Sequence, residues 1–135
     1  MVRDVLGGRH PVALDPAGAV LFLNPGSVTV RRRVPSEASA LLAADADHAY
    51  VLDGAGRVAA LQRDGGGLGW RARRPTAGAL GAAAGPGLLV LASTTWEVAA
   101  LSAADGRTLW RHTGDAGSHR PALSAHGVVV AAAGR

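Results

Sequence analysis

The sequence predicts an all-β fold, and the first observation behind this prediction is how its apolar segments are spaced. Short apolar stretches alternate with turns rich in Gly, Pro and Asp, such as the turn at 15–18. In such turns Pro presets φ and Gly accepts a positive φ. No segment has a helical period with a cap at each end. The Ala-rich stretch 77–84 is interrupted by Gly78 and Gly81, which favours a strand there.

The second observation is an internal repeat of about forty residues. Val58–Leu61 followed by Trp70 recurs as Val98–Leu101 followed by Trp110. The apolar segment at 20–23 is the matching segment of an earlier copy. The hairpin turn of this copy is interpreted as two residues shorter than the turns of the later copies, an alignment that matches Val30 with Trp70 and Trp110. The predicted repeats are approximately 11–48, 49–87 and 88–127, with a fourth starting at 128–135.

Each copy is predicted to contain four short antiparallel strands, starting from its most apolar segment. About three four-stranded blades of roughly 40 residues form a partial β-propeller, here a single domain over residues 1–135. Propellers close with about 4 to 8 blades, and three blades would leave unpaired strand edges. We therefore expect a fragment of a larger propeller. Its partners would be another protein or the remaining blades of the same propeller.

The third copy resembles the repeat of the pyrroloquinoline-quinone-like (quinoprotein-type) propellers. That repeat has an apolar strand, a Gly-x-Val-x-Ala-Leu-Asp strand, an Ala-x-Thr-Gly-Lys turn, a Leu-Trp strand and a Ser-Pro-Ala strand. The corresponding residues here are 88–91, 97–102, 103–107, Leu109-Trp110 and 120–123. The resemblance implies that Trp70 and Trp110, with Val30 in the first copy, dock one blade against the next.

The resemblance leaves function open, because the family includes dehydrogenases, envelope assembly scaffolds and sensor domains. Its dehydrogenases carry an adjacent cysteine pair and acidic residues that hold Ca²⁺, whereas this chain has no cysteine. No nucleophile elbow, phosphate loop or zinc-protease motif is present. We expect no catalysis and no cofactor, and a role as a scaffold or recognition module. The alternative is part of a quinone-dependent dehydrogenase.

Two groups of residues suggest metal binding. His112, His119 and His126 are spaced seven apart, but a strand, a loop and a turn would separate them, so they are not expected to converge on Zn²⁺. Asp45, Asp47 and His48 could offer ligands to a cation, but Asp side chains in turns commonly bond to their own backbone. We predict turn residues and no metal site.

A possible interaction surface is predicted along the arginines that follow the docking position. Arg31, Arg71 and Arg111 are matched in the three repeats, and Arg33 is matched with Arg73. An arc of guanidinium groups could bind carboxylates or phosphates, although solvated surface arginines are the simpler interpretation. Trp96 falls outside the repeat pattern and is added to this surface, with packing at a blade edge as its alternative role.

Charge and hydropathy bear on the partners and the location. The net charge is +4, and all 14 basic residues are Arg, interspersed with ten carboxylates. Polyanion binding along the arginines is a weaker alternative, and nucleic acid is not expected as a partner. No segment approaches the roughly twenty apolar residues of a membrane span. The location predicted by default is cytoplasmic, and it becomes periplasmic or extracellular if an upstream signal is missing.

Overall fold

The computed structural model confirms an all-β architecture. It describes residues 4–6, 11–24, 29–36, 38–64, 67–73, 80–85, 87–93, 97–113, 122–124 and 127–129. The strands are β1 (Asp4–Leu6), β2 (Val12–Leu14), β3 (Val20–Leu23), β4 (Val30–Val34), β5 (Ala38–Ala44), β6 (His48–Asp53), β7 (Arg57–Gln62), β8 (Leu68–Arg73), β9 (Leu80–Gly85), β10 (Leu88–Ser93), β11 (Glu97–Ser102), β12 (Thr108–Thr113), β13 (Ala122–Ser124) and β14 (Gly127–Val129). The Ala-rich stretch is a strand from Leu80, and residues 77–79 lie outside the described part.

The strands form three four-stranded antiparallel sheets and one two-stranded sheet. Sheet 1 has the order β1-β2-β3-β4, sheet 2 has β5-β6-β7-β8 and sheet 3 has β9-β10-β11-β12, while β13 pairs with β14. Every neighbouring pair of strands is consecutive in sequence, because tight turns connect antiparallel strands directly.

The sheets begin one strand earlier than the predicted repeats. The small-residue strand β5 pairs with β6, so it opens sheet 2, whereas the repeat boundaries at 48 and 49 would have placed it at the end of the first copy. The apolar strand β10 lies between β9 and β11 and is therefore an interior strand. Its apolar character follows from this position, since it is paired along both edges and its described residues from Leu89 to Ala92 are buried. The first strand, β1, was not predicted.

The chain divides into two compact units, residues 1–73 and 74–135. In the first unit, β5 lies against β1 and β2. One face of sheet 1, with Phe22 among its completely buried residues, packs on one face of sheet 2. The shared core consists of Val12, Leu14, Val20, Phe22, Val34, Ala38, Leu41, Ala49, Val51, Ala59 and Leu61.

In the second unit, β13 lies against β9, as β5 lies against β1 in the first unit. Sheet 3 has a buried cluster of Val90, Ala92, Val98 and Ala100, with Leu88 packed against it. Within the described part of the chain, no helix has the length and apolar character needed to cross a membrane.

Candidate interaction surface

A β-bulge at the same place in each sheet determines which residues of the three copies are equivalent. The register shifts between Phe22 and Leu23, between Ala60 and Leu61, and between Ala100 and Leu101. The extra residues on the partner strands are Arg31, Gly69 and Leu109. Because all three bulges coincide, the first and second copies keep an offset of 38 residues through the last strand. The shorter hairpin turn inferred from the sequence is wrong.

The corrected register changes the residue matched to the two tryptophans. Ala60 pairs with Trp70 and Ala100 with Trp110, and the equivalent pair in sheet 1 is Phe22 with Arg32. The prediction that Val30 stands in for a tryptophan is therefore wrong. Val30 is equivalent to Leu68 and is 51% exposed. In sheet 1 the aromatic residue of this strand pair is Phe22 on β3, which is completely buried, and not a residue of the last strand.

The two tryptophans have different surroundings. Trp70 is 8% exposed, and its ring lies 6.0 Å from that of Tyr50. Trp110 is 42% exposed. It is paired with Ala100, a member of the buried cluster of sheet 3. That both tryptophans dock one blade on another stays a prediction. Trp96 lies outside the described residues.

The arginine equivalences also change. Arg33 pairs across the strands with Leu21, Arg71 with Ala59 and Arg111 with Ala99. These three occupy one register position, and Arg31, predicted to be in that set, is the bulge residue of β4. Arg73 is equivalent to Pro35, so the predicted match of Arg33 with Arg73 is wrong as well. The reason is the same: the prediction assumed a hairpin turn two residues too short in the first copy.

Each arginine of this position is paired with a carboxylate of its own sheet. Arg33 donates to Asp15 Oδ2 from Nη2 at 3.1 Å. Arg71 Nε lies 3.5 Å from Asp53 Oδ2, and Arg111 donates to Glu97 Oε2 from Nε at 3.0 Å and also from Nη2. We name this contact the acid–arginine clamp. It joins the last strand of a sheet to the turn after its second strand in sheet 1, to its second strand in sheet 2 and to its third strand in sheet 3.

In the first two sheets the carboxylate also organises a turn. Asp53 Oδ1 accepts hydrogen bonds from the backbone N–H groups of Ala55 and Arg57, each at 2.9 Å. Burial raises the pKa of the Asp53 carboxyl, but these N–H groups and the charges of Arg57 and Arg71 outweigh burial and leave the pKa below its ordinary value. Asp53 is the only buried charged residue in the part of the chain that the structure describes.

The equivalent turn of sheet 1 has the same design. Asp15 Oδ1 accepts from the N–H groups of Ala17 and Ala19 at 3.0 and 2.9 Å. The hydrogen bond from Ala19, with smaller effects from Arg33 and Ala17, lowers the pKa of the Asp15 carboxyl against the opposing effect of burial. One oxygen of each aspartate therefore holds the turn while the other holds the arginine.

The residues considered for metal binding form a turn, as predicted for 45–48. Asp45 Oδ1 accepts from the N–H groups of Asp47 and His48, and Asp45 Oδ2 accepts from Tyr50 Oη at 2.5 Å. The described residues contain no group of three His, Cys, Asp or Glu able to hold a metal ion. His112 is exposed on β12, whereas His119 and His126 lie outside the described residues.

The exposed apolar side chains lie on the same strand of each sheet. The large apolar residues that are exposed in the described part are Val30, Leu68, Leu109 and Trp110. All four lie on β4, β8 or β12, the last strand of a sheet. Among the described strands, each of these pairs with a neighbour along one edge only. In the described part of the chain, the last strands therefore combine exposed apolar groups, clamp arginines and an edge without a paired strand.

Comparison with known proteins identifies the fold. A family model described as the outer membrane protein assembly factor BamB matches residues 8–135. BamB from Moraxella catarrhalis is 15% identical, with a TM-score of 0.68 over 93% of this chain and 41% of that chain. The computationally designed Ika8 protein is 12% identical, with a TM-score of 0.67 over 97% of this chain and 45% of that one. No curated protein matches the sequence significantly.

AztD from Citrobacter koseri is similar as well, with 10% identity and a TM-score of 0.67 over 99% of this chain and 38% of that chain. BamB and AztD are β-propellers. The predicted fold, a β-propeller of PQQ-like repeats, is thereby confirmed. The chain spans about two fifths of the length of these structures.

Proposed function

Since the chain belongs to the family described as the outer membrane protein assembly factor BamB, we propose that it is a non-catalytic β-propeller module that holds protein partners in an assembly. The observation that carries this proposal is that Val30, Leu68, Leu109 and Trp110 are exposed, each on the last strand of its own sheet. Exposed aromatic and aliphatic groups next to arginines are typical of protein interfaces.

Cross-linking from these strands tests the proposal. Because the chain has no cysteine, a single introduced cysteine gives one defined attachment point. A photoreactive probe on Leu109→Cys should cross-link a defined protein of the cells that make the chain. Gly54→Cys is the matched control, because Gly54 is exposed in a turn of sheet 2 and has nothing near its Cβ position. Equal yields from both positions, or no cross-linked protein, would contradict the proposal.

We also propose that the module works in the cell envelope. The description of its family names the outer membrane, which favours the periplasmic alternative over the cytoplasmic default. Fractionation of cells that express the complete protein tests this: recovery with periplasmic or outer-membrane markers is expected, and recovery with cytoplasmic markers would contradict it.

We further propose that the sheets are part of a larger propeller. The chain spans only 38–45% of the similar structures, and Trp110 is exposed beside an apolar cluster. Further repeats would cover such a face. Light scattering after size-exclusion chromatography of residues 1–135 should show self-association at micromolar concentration. A stable, soluble monomer would count against this part of the proposal.

The absence of catalysis is tested separately. The enzymatic alternative requires that the chain bind a pyrroloquinoline quinone together with Ca²⁺. We expect neither an absorbance change nor a thermal shift when both are added. A saturable shift of either kind would favour the dehydrogenase alternative.

A further inference from the structure

Sheet 2 carries more arginine than its clamp requires. In this sheet Arg57 Nε lies 3.1 Å and Arg71 Nε 3.5 Å from the same Asp53 oxygen, Oδ2. Arg73 lies directly opposite Arg57 across the β7–β8 pair. Two guanidinium groups therefore share one carboxylate oxygen, and a third arginine lies across the strand pair from one of them. Like charges at directly opposite positions destabilise a sheet, so this arrangement needs a reason other than strand pairing.

The other two sheets show what the clamp needs. In sheet 1, Ala19 and Pro35 occupy the positions of Arg57 and Arg73, and the clamp is Asp15 with Arg33. In sheet 3, Glu97 and Thr113 occupy those positions, and the clamp is Glu97 with Arg111. One acid and one arginine are enough in both sheets. The two additional arginines of sheet 2 are not required for the clamp.

The additional charges are accessible. The side chains of Arg57 and Arg71 are nearly half exposed, and Arg73 is exposed, whereas Asp53 is buried beneath them. Each guanidinium has five N–H donors in a planar fork that matches a carboxylate. The contacts with Asp53 use only part of this capacity. The patch therefore presents unused donors and, among the described residues, a surplus of two positive charges.

We infer that Arg57, Arg71 and Arg73 form a docking site for an acidic segment of a protein partner in an extended conformation. Arg71 and Arg73 alternate on β8, which places their side chains on one face about 7 Å apart along the strand. Carboxylates at alternate positions of an extended peptide have the same spacing. Arg57 adds a third contact on the neighbouring strand. This inference rests on the proposed function and specifies its partner chemistry.

A binding experiment with synthetic peptides tests the inference. The probe is an extended peptide with Asp at every second position and Thr between, and the comparison peptide has Asn in place of Asp. Isothermal titration on the full chain should show binding of the Asp peptide that weakens as salt is added, and none of the Asn peptide.

Residues at the equivalent positions of sheets 1 and 3 suggest the variants to compare. Arg57→Ala with Arg73→Thr reproduces residues that sheets 1 and 3 already carry, so the clamp of Arg71 with Asp53 is retained. Exposed ion pairs contribute up to about 1 kcal/mol each, so losing two of them should weaken binding of the Asp peptide by up to about thirtyfold. Arg107→Gln removes one charge from the turn before β12 and should leave binding unchanged, whereas Arg73→Thr alone should weaken it.

The outcomes separate this inference from the proposed function. Unchanged affinity in the double variant overturns the docking site, as does equal weakening by Arg107→Gln. A DNA single strand of equal charge that binds more tightly than the Asp peptide also overturns it, in favour of a polyanion surface. In each case cross-linking from Leu109→Cys still tests the proposed function independently. If the double variant does not fold, the single variant Arg73→Thr decides the matter.

Discussion

The guanidinium carbon of Arg63 lies 5.0 Å from the centre of the Phe22 ring, so a charged group at the end of β7 covers the aromatic side chain of β3. Arg63 also donates from Nη2 to the backbone carbonyl of Asp45 at 3.2 Å. A cation held over an aromatic ring attracts it electrostatically. This contact links sheet 1 to sheet 2, because Phe22 lies on β3 and Arg63 directly follows β7.

Replacing Phe22 should show how strongly the first unit depends on this aromatic. Phe22 is completely buried, so Phe22→Ala should lower the free energy of unfolding by about 3–5 kcal/mol, measured by urea titration. Val30→Ala is the control, and a change within about 0.5 kcal/mol is expected because Val30 is exposed. Equal effects of the two substitutions would contradict the assignment of Phe22 as the core aromatic.

Alkaline pH should unfold the protein through Tyr50, the only tyrosine in the chain. Burial, together with the hydrogen bond to Asp45 and the charge of that carboxylate, raises the pKa of the Tyr50 hydroxyl well above its ordinary value of 10.0. The unfolded chain therefore releases this proton first, and stability falls as the pH rises above about 10.

Tyrosinate absorbance measures this directly, because Tyr50 alone produces the signal. Ionisation should coincide with the loss of circular dichroism. Tyr50→Phe should reduce the alkaline loss of stability while costing about 1 kcal/mol at neutral pH through the lost hydrogen bond. Ionisation near pH 10 in the folded protein would disprove the buried arrangement.

Acid should weaken the clamp of sheet 2. The folded chain holds the pKa of Asp53 below its ordinary value of 3.8, so the stabilisation is present above that value and is lost as the pH falls through the folded pKa. Asp53→Asn should reduce stability at neutral pH by about 1 kcal/mol or more and flatten the dependence below pH 4. Asp64→Asn, at an exposed position, is the control for removing one charge. Thermal unfolding at a series of pH values measures both.

Two turn glycines let the cost of backbone strain be measured apart from the cost of a steric clash. Gly18 and Gly56 have φ values of 89° and 81°, in the region that favours glycine. A Cβ at Gly56 meets nothing within 4 Å, so Gly56→Ala should cost only about 1–2 kcal/mol of strain. A Cβ at Gly18 would lie 3.1 Å from the carbonyl oxygens of Ser36 and Ala38, which adds about 1–3 kcal/mol. Chemical denaturation of both variants should rank Gly18→Ala as the less stable.

The sequence alone determined the class of fold and most of the strands. Alternating apolar segments and turns made of Gly, Pro and Asp are local signals, because strand period and turn geometry depend on residues close in sequence. The repeat then identified the equivalence of Val58–Leu61 with Val98–Leu101, and the resemblance to quinoprotein propellers followed from the residues of the third copy. These conclusions agree with the strands and with the family match.

The register of sheet 1 and the pairing of the charges depend on how the paired strands align, so they are visible only in the structure. The sequence pattern aligns Val30-Arg31 with Trp70-Arg71, whereas the strand pairing places Arg33 at the position of Arg71. The clamp was not predicted, because its acid changes position between Asp53 and Glu97 and is recognised only when strands are paired. Local residue preferences specify strands and turns, whereas contacts across strands depend on how the paired chains are aligned.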